Sequence, residues 1–258
     1  MLIDTHIHLD APEFDADREA VIQAARDVGV RRFVLPAIEV ANFEAVEALA
    51  AGLPGSACAF GIHPLYVHRA QEADIALLRE RLASGAAIAV GEIGLDGFEA
   101  EPDPGRSEWF LAEQLKLARE FDLPVILHIR RAQDRVLKYL RRYRVRGGIA
   151  HAFNGSLQQA RTFIDLGFRL GFGGAMTYSG STRIRALAAS LPIESIVLES
   201  DAPDIPPSWA PMARNTPENV ARFADALASL RGIPSEEVAR ITTGNACLAL
   251  GLPMPSAM

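Results

Sequence analysis

The sequence predicts an α/β fold: a single (β/α)8 or TIM barrel with an additional C-terminal helix, forming one domain over residues 1–258. Three observations carry this. The chain has 258 residues, and one such barrel takes about 250. Short apolar runs of strand length alternate eight times with longer stretches of helical spacing, the pattern of repeated βα units and a parallel sheet. No Ser/Gly linker, low-complexity stretch or shift of composition divides the chain.

In chain order, the runs expected as strands are 2–7, 32–36, 57–62, 87–92, 124–128, 148–151, 168–172 and 195–199. Each is a short apolar run of the length a buried parallel strand needs. The stretches between and after them, 17–28, 43–51, 72–83, 107–121, 132–143, 157–166, 182–189 and 217–230, carry apolar residues at helical spacing. A ninth helix is expected over 236–250, with Ser235 as its N-cap, Gly251 just past its end and Pro253 beyond. The longest irregular stretch, 201–215, contains Pro203, Pro206, Pro207 and Pro211 and follows the eighth strand. In such a barrel that loop lies on the C-terminal face, where the chemistry sits.

Composition narrows the function classes. The hydrophobic fraction is 49% and the charged fraction 22%, ordinary values that exclude disordered and fibrous chains. The net charge of −6 argues against a broad basic face that coats nucleic acid, while leaving room for a local electropositive mouth. Two cysteines, Cys58 and Cys247, cannot frame a chain of this size with disulfides and are expected as buried inert thiols. The N-terminus lacks a basic segment followed by an apolar stretch, and no window has the roughly 18 uncharged apolar residues of a membrane span. The expected compartment is the cytoplasm, with no membrane contact and no obligate protein partner inferred.

Five of the six histidines fall at or just past an expected strand end: His6 and His8, His63, His128 and His151. Glu92 ends the fourth strand and Asp201 follows the eighth, so closing the sheet brings all seven residues to one rim. Imidazoles and carboxylates in an apolar mouth are costly to bury unless something compensates their charge and lone pairs, and a divalent cation does this. Residues i and i+2 of an extended segment face the same side, so His6 and His8 can bind one ion. His128 and His151, from adjacent strands, could hold a second, with Glu92 between the two positions able to bridge through its two oxygens. Such a pair of ions activates water and stabilises the oxygens of a displacement at phosphorus, so hydrolysis is the expected reaction. His63 is open to three readings, as ligand, substrate contact or orienting partner, and substrate contact is favoured. Glu199 faces the same side as Asp201 and is expected to support the ligands from behind. His68 is expected as a solvated loop histidine.

These residues, with the stretches IDTHIHLD (3–10), GIHP (61–64), VGEIGLD (90–96), LPVILHIRRA (123–132), HAFNGS (151–156), GGAMTY (173–178), LESDAP (198–203), RNTPENV (214–220) and TGNACLALGL (243–252), resemble the TatD family of metal-dependent deoxyribonucleases, within the amidohydrolase-like barrels. The resemblance covers nearly the whole chain. It implies that His6, His8 and Asp201 bind one metal and His128 and His151 the other, with Glu92 bridging. It also implies that Asp201 orients or deprotonates the attacking water and that His63, with Arg214 as a weaker candidate, contacts the substrate phosphate. The implied activity is cleavage of DNA phosphodiester bonds, often by trimming from the 3′ end, in single-stranded or frayed DNA. Related barrels bridge their metals with a carboxylated lysine on strand four, but here that position is Glu92. HIRRA, HAFNGS and DAPDIPP depart from the usual family pattern without removing a ligand, and place Arg130, Arg131, Asn154 and Asp204 around the mouth.

Arg130 and Arg131 are well placed to meet a phosphate. The arginines at 141–146 are expected at the foot of the barrel, where cations suit the helix dipole and cannot reach the mouth. The donor set suits Zn2+ or Mn2+, whereas nuclease chemistry often runs on Mg2+, which prefers oxygen ligands. The rival readings are a hydrolase of a small ester, amide or phosphoester using the same centre, and a metal-binding scaffold without turnover.

Overall fold

A computed structural model describes residues 1–98 and 103–254; residues 99–102 and 255–258 of the expected domain lie outside that range. The described elements run β1 (Leu2–Asp4), α1 (Arg18–Asp27), β2 (Val30–Pro36), α2 (Phe43–Gly52), β3 (Ala57–Phe60), α3 (Asp74–Ala83), β4 (Ala87–Asp96), α4 (Pro104–Glu120), β5 (Val125–Arg130), α5 (Gln133–Tyr143), β6 (Gly148–Ala150), α6 (Leu157–Asp165), β7 (Phe168–Phe172), α7 (Thr182–Ser190), β8 (Ile196–Leu198), α8 (Asn219–Arg231) and α9 (Ser235–Leu250). Adjacent strands pair in parallel in sequence order. The seam between β8 and β1 closes just beyond the strands: Thr5 N donates to Leu198 O (3.1 Å), Asp201 N to His6 O (2.9 Å) and His8 N to Ala202 O (2.9 Å). The fold is the expected (β/α)8 barrel.

Local chemistry explains several helix ends. Asp103 caps α4 by accepting from Arg106 N at 3.0 Å, and Ser156 and Gln159 form a reciprocal capping box at the start of α6. On α5, Val136, Leu137 and Leu140 are buried, while Arg141 and Arg142 occupy its last turn, where cations suit the carbonyl ends. α8 and α9 stop at Gly232 and Gly251, both left-handed with φ of 67°, a conformation glycine adopts without steric cost. Ser235 does not cap α9: it is the first helical residue, and the preceding Pro234 has no side-chain cap bond.

Most buried apolar residues form two layers, beside a small cluster of Ile62, Val67, Ala70 and Phe110. Ile3, Val34, Ala59, Ala89, Ile126, Ile149 and Val197 fill the barrel interior together with Ala246, Cys247 and Leu250 of α9. The larger cluster between sheet and helices includes Phe14, Phe33, Phe60, Phe163, Phe168 and Phe223, all fully buried, each contributing about 1.5–3 kcal/mol of apolar burial. α9 plugs the N-terminal end of the barrel: Thr243 Oγ1 bonds Met1 O (3.1 Å) and Asn245 Nδ2 bonds Ile196 O (2.8 Å). The opposite, C-terminal end is left for chemistry. Both cysteines are buried and unpaired, and burial raises the Cys58 thiol to about 11, so the expectation of inert thiols holds.

Several strand ends differ from expectation, and three of them have a local reason. β1 stops at Asp4 because residues 5–8 turn to bond the β8 side of the seam. β3 stops at Phe60 because the backbone of Ile62 is taken by the Gln114 amide, at 2.6 Å and 3.1 Å. β4 instead runs on to Asp96, paired with β5 as far as Arg130. Within it the register slips, since three residue steps of β4 (Val90 to Ile93) span two of β5 (Val125 to Leu127). Such an extra residue re-aims a side chain, and here it falls at Gly91 and Glu92.

Gly94, two residues on, has φ of 151°, and a Cβ there would collide with the carbonyl of His128. Gly94→Ala is therefore expected to lower the unfolding free energy by at least about 2 kcal/mol, read as a lower urea midpoint; an unchanged midpoint would refute this close approach of β4 to β5.

Candidate metal centre

The seven residues singled out by their strand-end positions all meet at the C-terminal end of the barrel. Glu92 is the hub. It is 2% exposed, and a ring nitrogen of each of five histidines lies within 3.5 Å of its carboxylate. Oε2 faces His6 Nε2 at 3.1 Å and His8 Nε2 at 3.5 Å. Oε1 faces His151 Nε2 at 2.8 Å, His128 Nδ1 at 3.1 Å and His63 Nε2 at 3.3 Å. The two oxygens thus address two different sets of imidazoles.

Asp201 joins the Oε2 side, with its Oδ1 3.5 Å from His6 Nε2 and 3.9 Å from His8 Nε2. Its backbone is left-handed, φ 55°, a sparsely populated region for a residue with a Cβ and one that persists where surroundings impose it. The imposition is visible: Asp201 N is bonded to His6 O, so β1 and β8 hold each other's donors in place. Behind the seam, buried Asp4 accepts from Ser200 N (2.9 Å) and Ser200 Oγ (2.6 Å).

The spacing tests whether a metal fits. Ligand atoms about 2.0–2.1 Å from a common ion lie about 3.0 Å apart at right angles and about 3.4 Å apart at tetrahedral angles. His6 Nε2 lies 3.3 Å from His8 Nε2, and His151 Nε2 lies 3.4 Å from His128 Nδ1. These separations, and those to Glu92, fall in the range for ligands around an ion. The groups His6–His8–Asp201, His6–Glu92–His151 and His63–Glu92–His128 each gather three donor atoms within 4.8 Å of one another. The residues present fit divalent metal binding.

Electrostatics agree. Burying a carboxylate costs several kcal/mol unless partners compensate. Burial pushes Glu92 upward, yet His63, His6 and His151 outweigh it and hold the carboxyl well below its ordinary range. Burial opposes charge on the imidazoles and drives His6 down to about 3. For His8 and His151 the same burial is overcome by Glu92 and Asp201, which raise them to about 9 and about 10. Without metal, those two rings carry protons at neutral pH.

Glu199 is buried behind His151, its Oε1 accepting from Ala152 N and lying 3.8 Å from His151 Nδ1. Burial raises its pKa to about 8. A Cβ at Gly171 would collide with this carboxylate, so a glycine on β7 makes its place. Sequence reasoning missed two carboxylates. Asp96 Oδ2 meets His128 Nε2 at 2.9 Å, which presents the other ring nitrogen of His128 to Glu92, an arrangement that fixes tautomer and orientation in metal-binding histidines. Asp4 is the other. Both stand in quoted motifs, at even spacing from Glu92 and His6, and that periodicity was the available signal.

The arginines lie farther out. Arg130 and Arg131 are exposed and stack on Phe98, at 3.7 Å and 4.5 Å from the ring centroid. Arg214 is committed elsewhere: it pairs with both carboxylate oxygens of Asp17 (3.0 and 2.8 Å) and covers the Phe14 ring. Asn154 Oδ1 accepts from Arg183 (3.0 Å), Asp204 is exposed, and His68 is exposed with Nδ1 bonded to Leu65 O (2.9 Å). No helix among the described residues is long and apolar enough to cross a membrane.

Metal ligation requires neutral imidazoles. Because His8 and His151 are raised to about 9 and about 10, loading the metal-free protein displaces protons, and affinity is expected to rise with pH from 6 to 8 by about tenfold per unit for each proton released. Calorimetric Mn2+ or Zn2+ titrations in buffers of different ionisation enthalpy measure both quantities; an affinity flat across that range would contradict this protonation state.

Comparison with known proteins agrees with the fold. The family model described as "TatD related DNase" matches residues 3–251. The "Uncharacterized metal-dependent hydrolase YjjV" of Escherichia coli K12 is 41% identical over 254 residues, covering 97% of this chain and 98% of its own length. A mouse protein named "Putative deoxyribonuclease TATDN3" is 30% identical, covering 95% of this chain and 86% of its own. The crystal structure of YjjV superposes with a TM-score of 0.94 over 98% of both chains. With the family model spanning almost the whole chain and relatives of this identity aligned end to end, the protein belongs to the TatD family of metal-dependent hydrolases.

Proposed function

We propose that the protein is a deoxyribonuclease that cleaves DNA phosphodiester bonds with two divalent ions, trimming single-stranded or frayed ends from the 3′ side. The observation that carries this is the division of labour at Glu92, whose Oε2 faces His6 and His8 while Oε1 faces His128 and His151. The family description and the name of the mouse relative support DNA as the substrate.

In this reading His6, His8 and Asp201 would hold one ion, His128 and His151 the other, and Glu92 would bridge them. Mg2+, Mn2+ and Zn2+ are the candidates, and the four imidazoles favour the latter two. Bound there, two ions supply Lewis-acid stabilisation of the phosphodiester oxygens and acidify water. Asp201, with Oδ1 beside His6 and His8 at 3.5 and 3.9 Å, is placed to take the proton of the attacking water. Glu92, held ionised by its histidines, cannot serve as a proton donor and acts as the bridge. His63, with Nδ1 accepting from Leu65 N (3.1 Å) and Nε2 facing Glu92 Oε1 (3.3 Å), would turn Nε2 to a substrate phosphate. Glu199 steadies His151, and Arg130 and Arg131 meet phosphates at the rim. Arg214 acts through Asp17, tying the loop after β8 to the start of α1.

A second reading, hydrolysis of a small ester, amide or phosphoester, draws on the net charge of −6, which disfavours long-range attraction of a polyanion. A scaffold without turnover fits less well, since a complete donor set with Asp201 in place is retained.

The test is metal-stripped protein with an end-labelled single-stranded oligodeoxynucleotide, each metal restored singly. The expected result is a ladder shortening from the 3′ end that requires metal and falls about 10²–10⁴-fold in Asp201→Asn. Metal binding with an intact oligonucleotide rejects the nuclease and leaves the small-molecule hydrolase.

A further inference from the structure

At the rim beside the centre, Phe98 is 46% exposed, a large apolar ring facing solvent next to a pocket built of charge. Two guanidiniums contact it, Arg130 at 3.7 Å and Arg131 at 4.5 Å from the centroid. Phe98 lies just past β4 and Arg130 and Arg131 at the end of the adjacent β5, and each is held from behind. Phe98 N donates to Asp96 Oδ1 (2.7 Å), whose other oxygen meets His128 Nε2. Gly97 N donates to Arg130 O (2.6 Å), and a Cβ at Gly97 would press on Arg131 O. Arg131 itself is left-handed, φ 51°, a strained conformation for a side-chain-bearing residue that is retained on the rim.

The Arg214–Phe14 pair is built differently, with its ring fully buried. Phe98 combines an exposed aromatic ring with two cations and lies one carboxylate away from a candidate ligand. We propose that Phe98, Arg130 and Arg131 form a nucleobase-stacking subsite that grips the nucleotide next to the scissile phosphate. This rests on the nuclease reading and extends it from phosphate contact to recognition of the base.

The physical case is that a nucleotide carries the two chemistries this cluster offers. Bases stack on aromatic rings and on guanidinium planes irrespective of sequence, while guanidiniums pair with phosphate oxygens. A phosphate-only site needs the arginines and gains nothing from an exposed phenylalanine. Stacking on Phe98 predicts a substrate with bases, unstacked enough to splay one out, which favours single strands or frayed ends over intact duplex. It also predicts little discrimination among the four bases, since every base presents a π-face.

The experiment measures anisotropy of the protein as purified with cleavage-resistant phosphorothioate oligodeoxynucleotides, one normal and one abasic at its 3′-terminal positions, of equal length and charge. The expected result is about tenfold or tighter binding of the normal strand. Phe98→Ala and Phe98→Leu abolish that preference without altering the salt dependence, whereas Arg130→Ala with Arg131→Ala weakens both strands and flattens the salt slope. Equal binding of the two strands by the unaltered protein, or a preference that survives Phe98→Ala, overturns the subsite. Cleavage of an ordinary oligonucleotide is assayed in parallel: cleavage without base preference rejects only the subsite, and absence of cleavage rejects the nuclease reading and the subsite with it.

Discussion

A single buried carboxylate sets the terms for this structure. Glu92 can be ionised at 2% exposure only because five imidazoles from four other parts of the barrel converge on it, and those imidazoles can be packed so closely only because an anion lies between them. Neither half is tolerable alone, as an unpaired buried charge costs several kcal/mol. The barrel therefore has to bring the ends of β1, β3, β5 and β6 to one point, and the register slip in β4 supplies the inward turn that aims Glu92 there.

The second requirement is closure. The last strand must meet the first, and here the closing hydrogen bonds run through the backbones of His6, His8 and Asp201 and of their neighbours. Folding and site assembly are one event on this side: the seam that completes the sheet also fixes the donors. Asp4 and Ser200 reinforce it from below, and burial raises Asp4 to about 7, so at neutral pH this carboxyl is partly protonated while it accepts from Ser200. Glycines complete the arrangement at Gly94 and Gly171, where β4 comes against β5 and β7 against Glu199.

The architecture was legible because strand length, helix spacing and chain length all gave the same answer, and the ring was legible because His6, Glu92, His128, His151 and Asp201 recur at strand ends at intervals of whole βα units. The run of β4 past Glu92 was not, because the slip at Gly91 and Glu92 depends on pairing with β5 and has no local signature. Asp96 and Asp4 were overlooked for a related reason: each supports a partner distant in sequence, His128 or Ser200, and only the closed barrel reveals the pair. His63 could be placed at the rim but not in contact with Glu92 Oε1, since that contact depends on the turn after β3. The resemblance offers Arg214 as a weaker candidate for phosphate contact, and its pairing with Asp17, nearly two hundred residues away in sequence, has no local signature.

The central claim is that Glu92 divides its two oxygens between two ions. Anomalous scattering from crystals of the Mn2+-loaded protein tests it directly. The account predicts two peaks, one among His6, His8 and Asp201 and one among His128 and His151, each in contact with a different oxygen of Glu92. A single peak, or two peaks that do not share Glu92, would contradict it.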